Sequence, residues 1–411
     1  MAELIGFTAI SLVSLITLVI ALRYPGIRNI LILALIIRVI VLILGHYFIS
    51  LPGSNSDAIG FENRAWDLSQ KGITHVLRNF QYDPFTYFSW LLAIPYSIFG
   101  RSILMLQSIS LLFGIGTIFF SWKLAILVSN KKVANLVAII LSIFPSVVLY
   151  SILVLREVYV SFFIILAMYG TISWLKNKNY KYLALSAIGF LVATSFHGAM
   201  ILGGFLFLIL VLVENIRKHY QSLIKFRLNL NIILIFIIVL TILGFYLSNR
   251  IDLAYVGTFK NSLNLSNLFE LQKNINMFRG SASWPEWTFA QSEIDLLYKI
   301  PIRMIYFVFS PFVWDISKPN HFFGLIDSLI YLFLVFLIIK NIKIIWKKPY
   351  LRFILIVSLS YIFIFSFGVG NFGTSIRHKT KFVALIIILA APFIQNLLLK
   401  KRADLKFSKS S

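Results

Sequence analysis

Long runs of apolar residues recur along the whole chain, separated by short polar segments. Most of these runs hold about 20 residues, enough for an α-helix to cross a hydrocarbon core about 30 Å thick. The pattern therefore predicts eleven membrane-spanning helices. They cover residues 4–22, 29–49, 103–128, 133–153, 158–175, 182–196, 198–214, 229–248, 322–340, 352–369 and 380–399.

Two further apolar stretches, residues 87–100 and 300–314, are shorter and contain Pro95 and Pro311. Apolar segments of about 14 residues favour an interfacial or re-entrant position over a full crossing. We leave them out of the count, which is then eleven spans and at most thirteen.

The composition agrees with a membrane protein. Hydrophobic residues make up 59% of the chain, charged residues only 13%, and the mean hydropathy is +0.88. Soluble domains are about half apolar and about a quarter charged. We therefore expect one all-α integral membrane domain over residues 1–411, ending in a basic tail at 400–411. The first apolar run has neither a basic leader nor a small-residue cleavage site, so it is predicted to remain as a membrane helix.

The net charge of +23 does not indicate a nucleic-acid partner. Most Lys and Arg residues lie in short loops between apolar runs, where they set membrane orientation, and not on one soluble module. The positive-inside rule places these loops in the cytoplasm. The two long loops, 50–102 and 249–321, are then outside, the first with juxtamembrane helices. The chain has no cysteine, which excludes disulfides and thiolate metal ligands.

Acidic residues are concentrated on the predicted outer face. They are Asp57, Glu62, Asp67, Asp83, Glu157, Asp252, Glu270, Glu286, Glu293, Asp295 and Asp315. The same face also carries Arg377, His378 and Lys379, against the positive-inside rule. Such an exception favours an anion-binding site, in which a ligand supplies the missing counter-charge. The alternative is a helix-end cluster that reaches lipid headgroups.

Two acids in the outer segments are candidates for chemistry. Asp57 precedes apolar residues at 58, 61, 65 and 68, a spacing that predicts an amphipathic helix capped by Ser56 or Asp57. Glu157 opens a membrane helix beside Arg156, where the helix dipole favours an acid. Beyond these structural roles, the two carboxylates could face each other across an outer cavity, for base catalysis or metal binding.

Three other polar residues lie at or within the spans. His197 is placed at a hinge between two spans, where a lone His is more often structural than catalytic. Arg38 lies within a span and needs a partner that the sequence does not identify. The same question applies to Asp327.

Aromatic residues cluster in the second outer loop, for example Trp284, Trp287 and Trp314. They are typical of interfacial anchors, and they could equally form stacking platforms for a sugar or an isoprenoid chain. The sequence has no P-loop, no GxGxxG after a strand and no HExxH motif. Nucleotide chemistry in the cytoplasm therefore has no evident site.

Several short motifs resemble the polytopic GT-C glycosyltransferases. They are Ser-Asp-Ala-x-x-Phe-x-x-x-Ala around Asp57, Ile-Phe-Gly at 98–100, Phe-Pro-Ser at 144–146 and Arg-Glu at 156–157. The similarity is greatest to the family 39-like protein O-mannosyltransferases and the aminoarabinose transferases. Two features depart from that pattern. Many members carry Asp-Glu in the first loop, where this chain has Asp57-Ala58, and a first span with its N-terminus outside is unusual.

The resemblance implies an enzyme of the cell (plasma or inner) membrane that uses a polyprenyl-phosphate-linked sugar at the outer face. It would make a glycan, lipid or protein conjugate of the cell surface. Carried onto this chain, the first-loop acid is Asp57, the second acid is Glu157, and the late basic residues are Arg377 and Lys379. No cofactor is certain, and a divalent metal ion is an open option.

The resulting hypothesis gives each site residue a role. Asp57 accepts the proton of the acceptor hydroxyl in an inverting displacement, while Glu157 orients the acceptor or binds a metal ion. The substrate-binding residues are Arg156, His197, Arg377, His378 and Lys379. Two other classes remain open: a polysaccharide polymerase or ligase, which would depend on Arg and His more than on Asp57, and a lipid-linked glycan flippase or transporter.

Overall fold

The computed structural model describes residues 1–55, 57–80, 84–224, 265–277, 280–319 and 321–407. This part of the chain is largely α-helical, and its one isolated β-bridge pairs Ser283 with Asn371. The α-helices are numbered here in chain order. They are α1 (Ala2–Arg23), α2 (Arg28–Tyr47), α3 (Asp57–Ser69), α4 (Ile73–Arg78), α5 (Pro84–Phe99), α6 (Ile103–Val128), α7 (Lys131–Ile143), α8 (Pro145–Tyr150), α9 (Glu157–Asn177), α10 (Tyr180–Phe196), α11 (Ile201–Ile224), α12 (Leu265–Met277), α13 (Glu293–Phe309), α14 (His321–Lys340), α15 (Ile342–Lys347), α16 (Pro349–Gly368), α17 (Phe372–Thr380) and α18 (Val383–Phe407).

The chain is an all-α, multi-pass membrane protein. Within the described residues, seven helical segments are long and apolar enough to cross a membrane. They are α1, α2, α6, α9, residues 198–217 at the start of α11, α14 and α16. The bent pair α17 and α18 would be an eighth span. The count of eleven is not confirmed, and the predicted span at 229–248 lies outside the described residues.

The predicted span over 133–153 is wrong as one continuous helix. Helix α7 ends at Ile143, Phe144 is extended, and Pro145 opens the short helix α8. A residue before proline avoids the α conformation, whereas proline is well suited to the first helical position. The chain therefore breaks here. The non-helical residues after Tyr150 lead to α9 and Glu157.

The predicted span over 380–399 also begins differently. The basic residues at 377–379 belong to a separate helix, α17, which meets α18 at an angle of 72°. This bend turns the basic helix toward acidic side chains at the starts of α3 and α9, which are described below. The predicted span at 182–196 is α10, an apolar helix of 17 residues.

Helix α3 confirms the amphipathic pattern that begins at Asp57. Ala58, Phe61 and Ala65 are buried on its inner face. Its Glu62 is buried too, and the carboxylate accepts hydrogen bonds from Tyr96 Oη at 2.7 Å and Arg101 Nε at 2.9 Å.

This bond to Glu62 raises the pKa of Arg101 above its ordinary value. The guanidinium also donates from Nη2 to the second Glu62 oxygen at 2.7 Å. The paired bonds tie α3 to the segment after α5, so they fix the helix whose first residue is Asp57.

Two buried arginines hold helix ends. In the middle of α2, Arg38 donates to the carbonyls of Leu141 (3.1 Å) and Ser142 (3.2 Å) in the last turn of α7, and to Ser151 Oγ at 3.0 Å. The last carbonyls of a helix lack partners within the helix, and a positive charge there is favoured by the helix dipole. Arg38 thus finds backbone and hydroxyl partners, which answers the question left by the sequence.

Arg303 of α13 likewise donates to backbone carbonyls at the end of α16. It donates to the carbonyls of Ser366 at 3.0 Å, Phe367 at 3.2 Å and Val369 at 2.5 Å. Its guanidinium lies 5.1 Å from the centre of the Trp284 ring. Since α17 begins only a few residues later, Arg303 fixes the chain that leads into the basic helix.

The contacts separate the predicted outer residues from the predicted cytoplasmic ones. At one end of the bundle, Lys178 pairs with Glu214 at 2.7 Å and Lys176 lies 5.3 Å from the Tyr350 ring. All four residues lie in or beside short loops that are predicted to be cytoplasmic. Asp57, Glu157 and Arg377, predicted to be outside, meet one another elsewhere in the bundle.

Candidate functional site

The structure brings together three residues that the sequence separates widely: Asp57, Glu157 and Arg377. Arg377 Nε lies 2.8 Å from Glu157 Oε1, and Nη1 of the same guanidinium donates to Asp57 Oδ2. Asp57 is the first residue of α3, Glu157 the first of α9, and Arg377 lies in the last turn of α17. One guanidinium therefore links two acids from different parts of the fold.

The two acids differ in burial. The Glu157 side chain has no solvent exposure, whereas the Asp57 side chain is 57% exposed and Arg377 is 19% exposed. Glu157 thus anchors the inner side of the guanidinium, and Asp57 covers its accessible side. An exposed ion pair contributes little free energy, whereas a buried carboxylate depends strongly on its partner.

Lys381 belongs to this site, although the sequence interpretation did not include it. Its Nζ lies 3.7 Å from Glu157 Oε1 and contacts His378 Nδ1, and the side chain is fully buried. Lys381 is four residues after Arg377. That spacing places side chains on one face of a helix, so it was a usable signal in the sequence.

The two predicted histidines line the inner wall of the site. The rings of His197 and His378 are 5.3 Å apart, and His378 stacks on Phe365 at 4.6 Å. Both histidines are buried. His197 joins α10 to the turn at Gly198–Met200, which confirms its predicted position at a hinge.

Arg156 lies beside Glu157 and joins three elements. Its Nη1 donates to the Phe196 carbonyl at 3.4 Å, and its guanidinium is 5.6 Å from the Phe61 ring of α3. The side chain is 2% exposed. Its charge therefore acts on the site from within the protein.

Lys379 is not brought together with Arg377. The two residues are two positions apart in α17, which places them on opposite sides of the helix. Lys379 Nζ donates to the Val308 carbonyl at 2.9 Å and lies 4.6 Å from the Tyr331 ring. Asp327 is buried nearby on α14 and accepts a bond from the Ser146 backbone at 3.4 Å. The contacts give Lys379 a place in this second polar cluster.

The charges of the site leave a small positive excess. Arg156, Arg377 and Lys381 contribute three positive charges and Asp57 and Glu157 two negative ones, which leaves one positive charge if the histidines are neutral. The sequence interpretation favoured a ligand as the source of the missing counter-charge near 377–379, with lipid headgroups as the alternative. In the structure Asp57 and Glu157 supply most of this counter-charge, and the anion site stays a prediction.

Asp57 and Glu157 are both engaged by Arg377, and their partners in the described structure are cations. Among the described residues, no group of three or more His, Asp or Glu side chains is arranged to hold a metal ion. Glu157 Oε2 is buried and accepts no hydrogen bond in this part of the chain.

The three tryptophans of the predicted second outer loop differ in exposure. Trp284 is buried, where its Nε1 donates to Ser310 Oγ at 3.1 Å and its ring contacts Arg303. Trp287 and Trp314 are 54% and 73% exposed. Only the exposed pair fits the predicted roles of interfacial anchor or stacking platform.

Comparison with known proteins gives no family. No family model matches the chain, and no curated protein matches it. The interpretation of the site therefore depends on its own geometry and on the short motifs in the sequence.

Proposed function

We propose that this protein is a membrane glycosyltransferase. It would transfer a sugar from a polyprenyl-phosphate donor to a glycan, lipid or protein acceptor at the outer face of the cell membrane. The observation that carries the proposal is the Asp57–Arg377–Glu157 bridge. It combines an exposed carboxylate with a partly buried guanidinium that is held in place from behind.

The guanidinium supplies what a phosphate leaving group requires. Arginine donates in a planar fork that matches phosphate oxygens. Glu157 orients Arg377, and Lys381 adds a second positive charge close to the same carboxylate. Fixed charges of this kind stabilise negative charge that develops in the transition state, most strongly where water is excluded.

The chemical step is a single displacement. The acceptor hydroxyl oxygen attacks the anomeric carbon and forms the new glycosidic bond. The bond from that carbon to the phosphate oxygen breaks, and the lipid phosphate leaves with the electron pair. Asp57 takes the proton of the hydroxyl. One displacement inverts the configuration at the anomeric carbon.

The geometry changes two of the expected roles. Glu157 is fully buried behind Arg377, so we assign it to positioning of the guanidinium and not to the acceptor. Lys379 faces Val308 and Tyr331, so we assign the second cationic position to Lys381.

A polysaccharide polymerase or ligase is the second candidate. The observation in its favour is the central position of Arg377, which would bind the phosphate of a lipid-linked oligosaccharide equally well. This function would need Arg377 but would not need Asp57 as a base.

The first test compares surface glycan on cells that express Asp57→Ala, Arg377→Ala and the control Asp67→Ala. Asp67 is an exposed acid on the same helix as Asp57. Membrane levels of each variant are measured in parallel. The transferase proposal expects the first two variants to lose or shorten the glycan and the control to keep it. Full activity of Asp57→Ala with loss in Arg377→Ala would favour the polymerase or ligase.

A further inference from the structure

The contact that Asp57 makes in this structure differs from the contact that it must make in the proposed reaction. As a base it must meet the acceptor hydroxyl, yet its Oδ2 accepts a hydrogen bond from Arg377 Nη1. The guanidinium of Arg377 would also meet the phosphate, and only 19% of this side chain is exposed. The Asp57 carboxylate and a phosphate would compete for this small exposed part, because each binds a guanidinium best through two parallel hydrogen bonds.

The anchoring of Arg377 makes an exchange at this donor feasible. Its Nε is held by Glu157, which is fully buried and lies within 3.7 Å of Lys381 as well. Loss of Asp57 would therefore leave the guanidinium in place. Asp57 is the exposed partner, and exposed ion pairs contribute at most about 1 kcal/mol.

We propose that Asp57 occupies the anion site of Arg377 in the resting protein, and that the phosphate of a lipid monophosphate displaces it. The inference rests on the proposed function and deepens it. Donor binding then has two consequences. It places the phosphate on Arg377, and it releases the Asp57 carboxylate for the acceptor hydroxyl, so the base becomes available only when the donor is bound.

The charges of the site favour a monophosphate over a diphosphate. With Asp57 displaced, Arg156, Arg377 and Lys381 face only Glu157, which leaves two positive charges. A lipid-phosphate sugar carries one negative charge, and the departing lipid phosphate carries two. The two positive charges of the site thus match the two negative charges of the departing lipid phosphate. Binding that becomes stronger toward the transition state is what accelerates a reaction.

The test measures binding of farnesyl phosphate to the purified full-length protein, with farnesol as the control for the lipid chain. Removal of the competitor in Asp57→Asn and Asp57→Ala should tighten binding about fivefold, the effect of an ion pair worth about 1 kcal/mol. Asp57→Glu should stay close to the wild type, and the matched control Asp67→Asn should not change. Arg377→Gln should lose the preference for farnesyl phosphate over farnesol.

Several outcomes would overturn the exchange. Weaker or unchanged binding of farnesyl phosphate in both Asp57→Asn and Asp57→Ala would mean that Asp57 does not compete for Arg377. Tighter binding of farnesol to the same extent would mean that the variants only open the lipid site. Farnesyl diphosphate that binds more tightly than farnesyl phosphate would contradict the monophosphate assignment.

The proposed function is judged by a separate result. If Asp57→Asn binds farnesyl phosphate more tightly and its cells still make full-length surface glycan, the exchange stands and the base assignment fails. If binding does not tighten but the glycan is lost, the transferase proposal survives without the exchange.

Discussion

Arg38 and Arg303 differ from Arg377 in what they bind. The first two are fully enclosed and donate to backbone carbonyls at the ends of α7 and α16. Arg377 is partly exposed and donates to two carboxylates. All three are arginines within or next to apolar segments, where a charge is costly and its partner indicates its purpose.

The comparison separates structural from functional arginines. A guanidinium that donates to backbone carbonyls at the end of another helix has no partner that a substrate could replace. A guanidinium shared between a buried and an exposed acid has one fixed contact and one exchangeable contact. Arg38 and Arg303 hold the chain just before Glu157 and just before α17, so the structural pair positions the functional residue.

The largest expected effect is on activity and comes from Arg377. Replacement of Arg377 by Gln should reduce glycosyl transfer about 1000-fold, the scale seen when a donor to a developing charge is removed. The amount of folded protein in the membrane should fall much less. Transfer and membrane level are measured on the same preparation. Equal loss of both would put Arg377 in the structural class.

Arg303 should show the opposite pattern. Replacement by Leu leaves the carbonyls of Ser366 and Phe367 without their donor, and we expect a loss of about 3 kcal/mol in unfolding free energy. Thermal unfolding in detergent measures it. Arg303→Lys should recover only part of the loss, because an ammonium cannot reproduce the planar fork. A variant of normal stability with lost transfer would contradict the structural role.

A smaller effect is expected where α6 approaches the Arg38 cap. A Cβ added to Gly114 would lie 2.5 Å from Ser151 Cβ and 3.6 Å from Arg38 Nε. Gly114→Ala should therefore cost about 1–3 kcal/mol of stability through overpacking. Gly60, where an added Cβ meets nothing, supplies the control Gly60→Ala. Equal stability of both variants would contradict a tight contact between Gly114 and Ser151.

The smallest effect on stability is expected at the ion pair between Arg101 and the buried Glu62. Arg101→Gln breaks the bonds to Glu62 but leaves the membrane helices in place. The Glu62 side chain is only 5% exposed, but it keeps the hydrogen bond from Tyr96 Oη, so we expect a loss of about 1 kcal/mol in stability. Glycosyl transfer should be lost to a greater extent than stability, because the Arg101–Glu62 pair fixes the helix that begins at Asp57. A matched replacement of the exposed Arg64 should change neither.

The sequence predicted the helical membrane architecture and the amphipathic helix from Asp57, because hydrophobic periodicity determines both. It did not predict that the helix is interrupted at Phe144-Pro145, since the apolar run continues through these residues. Arg377 was a candidate because of its positive charge in a segment that is predicted to be outside. Its contact with Glu157, 220 positions earlier, required the structure.

The different positions of Lys379 and Lys381 have a physical cause as well. Lys379 and Lys381 are both lysines in one short basic run, and composition alone does not tell which face each occupies. The start of α17 at Phe372 and its bend determine that Lys381 turns to Glu157 and Lys379 to Val308. Helix bends of this kind depend on tertiary contacts and are absent from the local pattern.

The central claim is that Asp57 and Arg377 act together on a lipid monophosphate donor. In the most direct measurement, the protein is reconstituted into vesicles and given a lipid extract of the native cells as donor and a cell extract as acceptor. The release of polyprenyl phosphate is then followed. The account predicts release by the wild type and by Asp67→Asn, and none by Asp57→Asn or Arg377→Gln. Release by Asp57→Asn at the wild-type rate, or consumption of only diphosphate-linked donors, would contradict it.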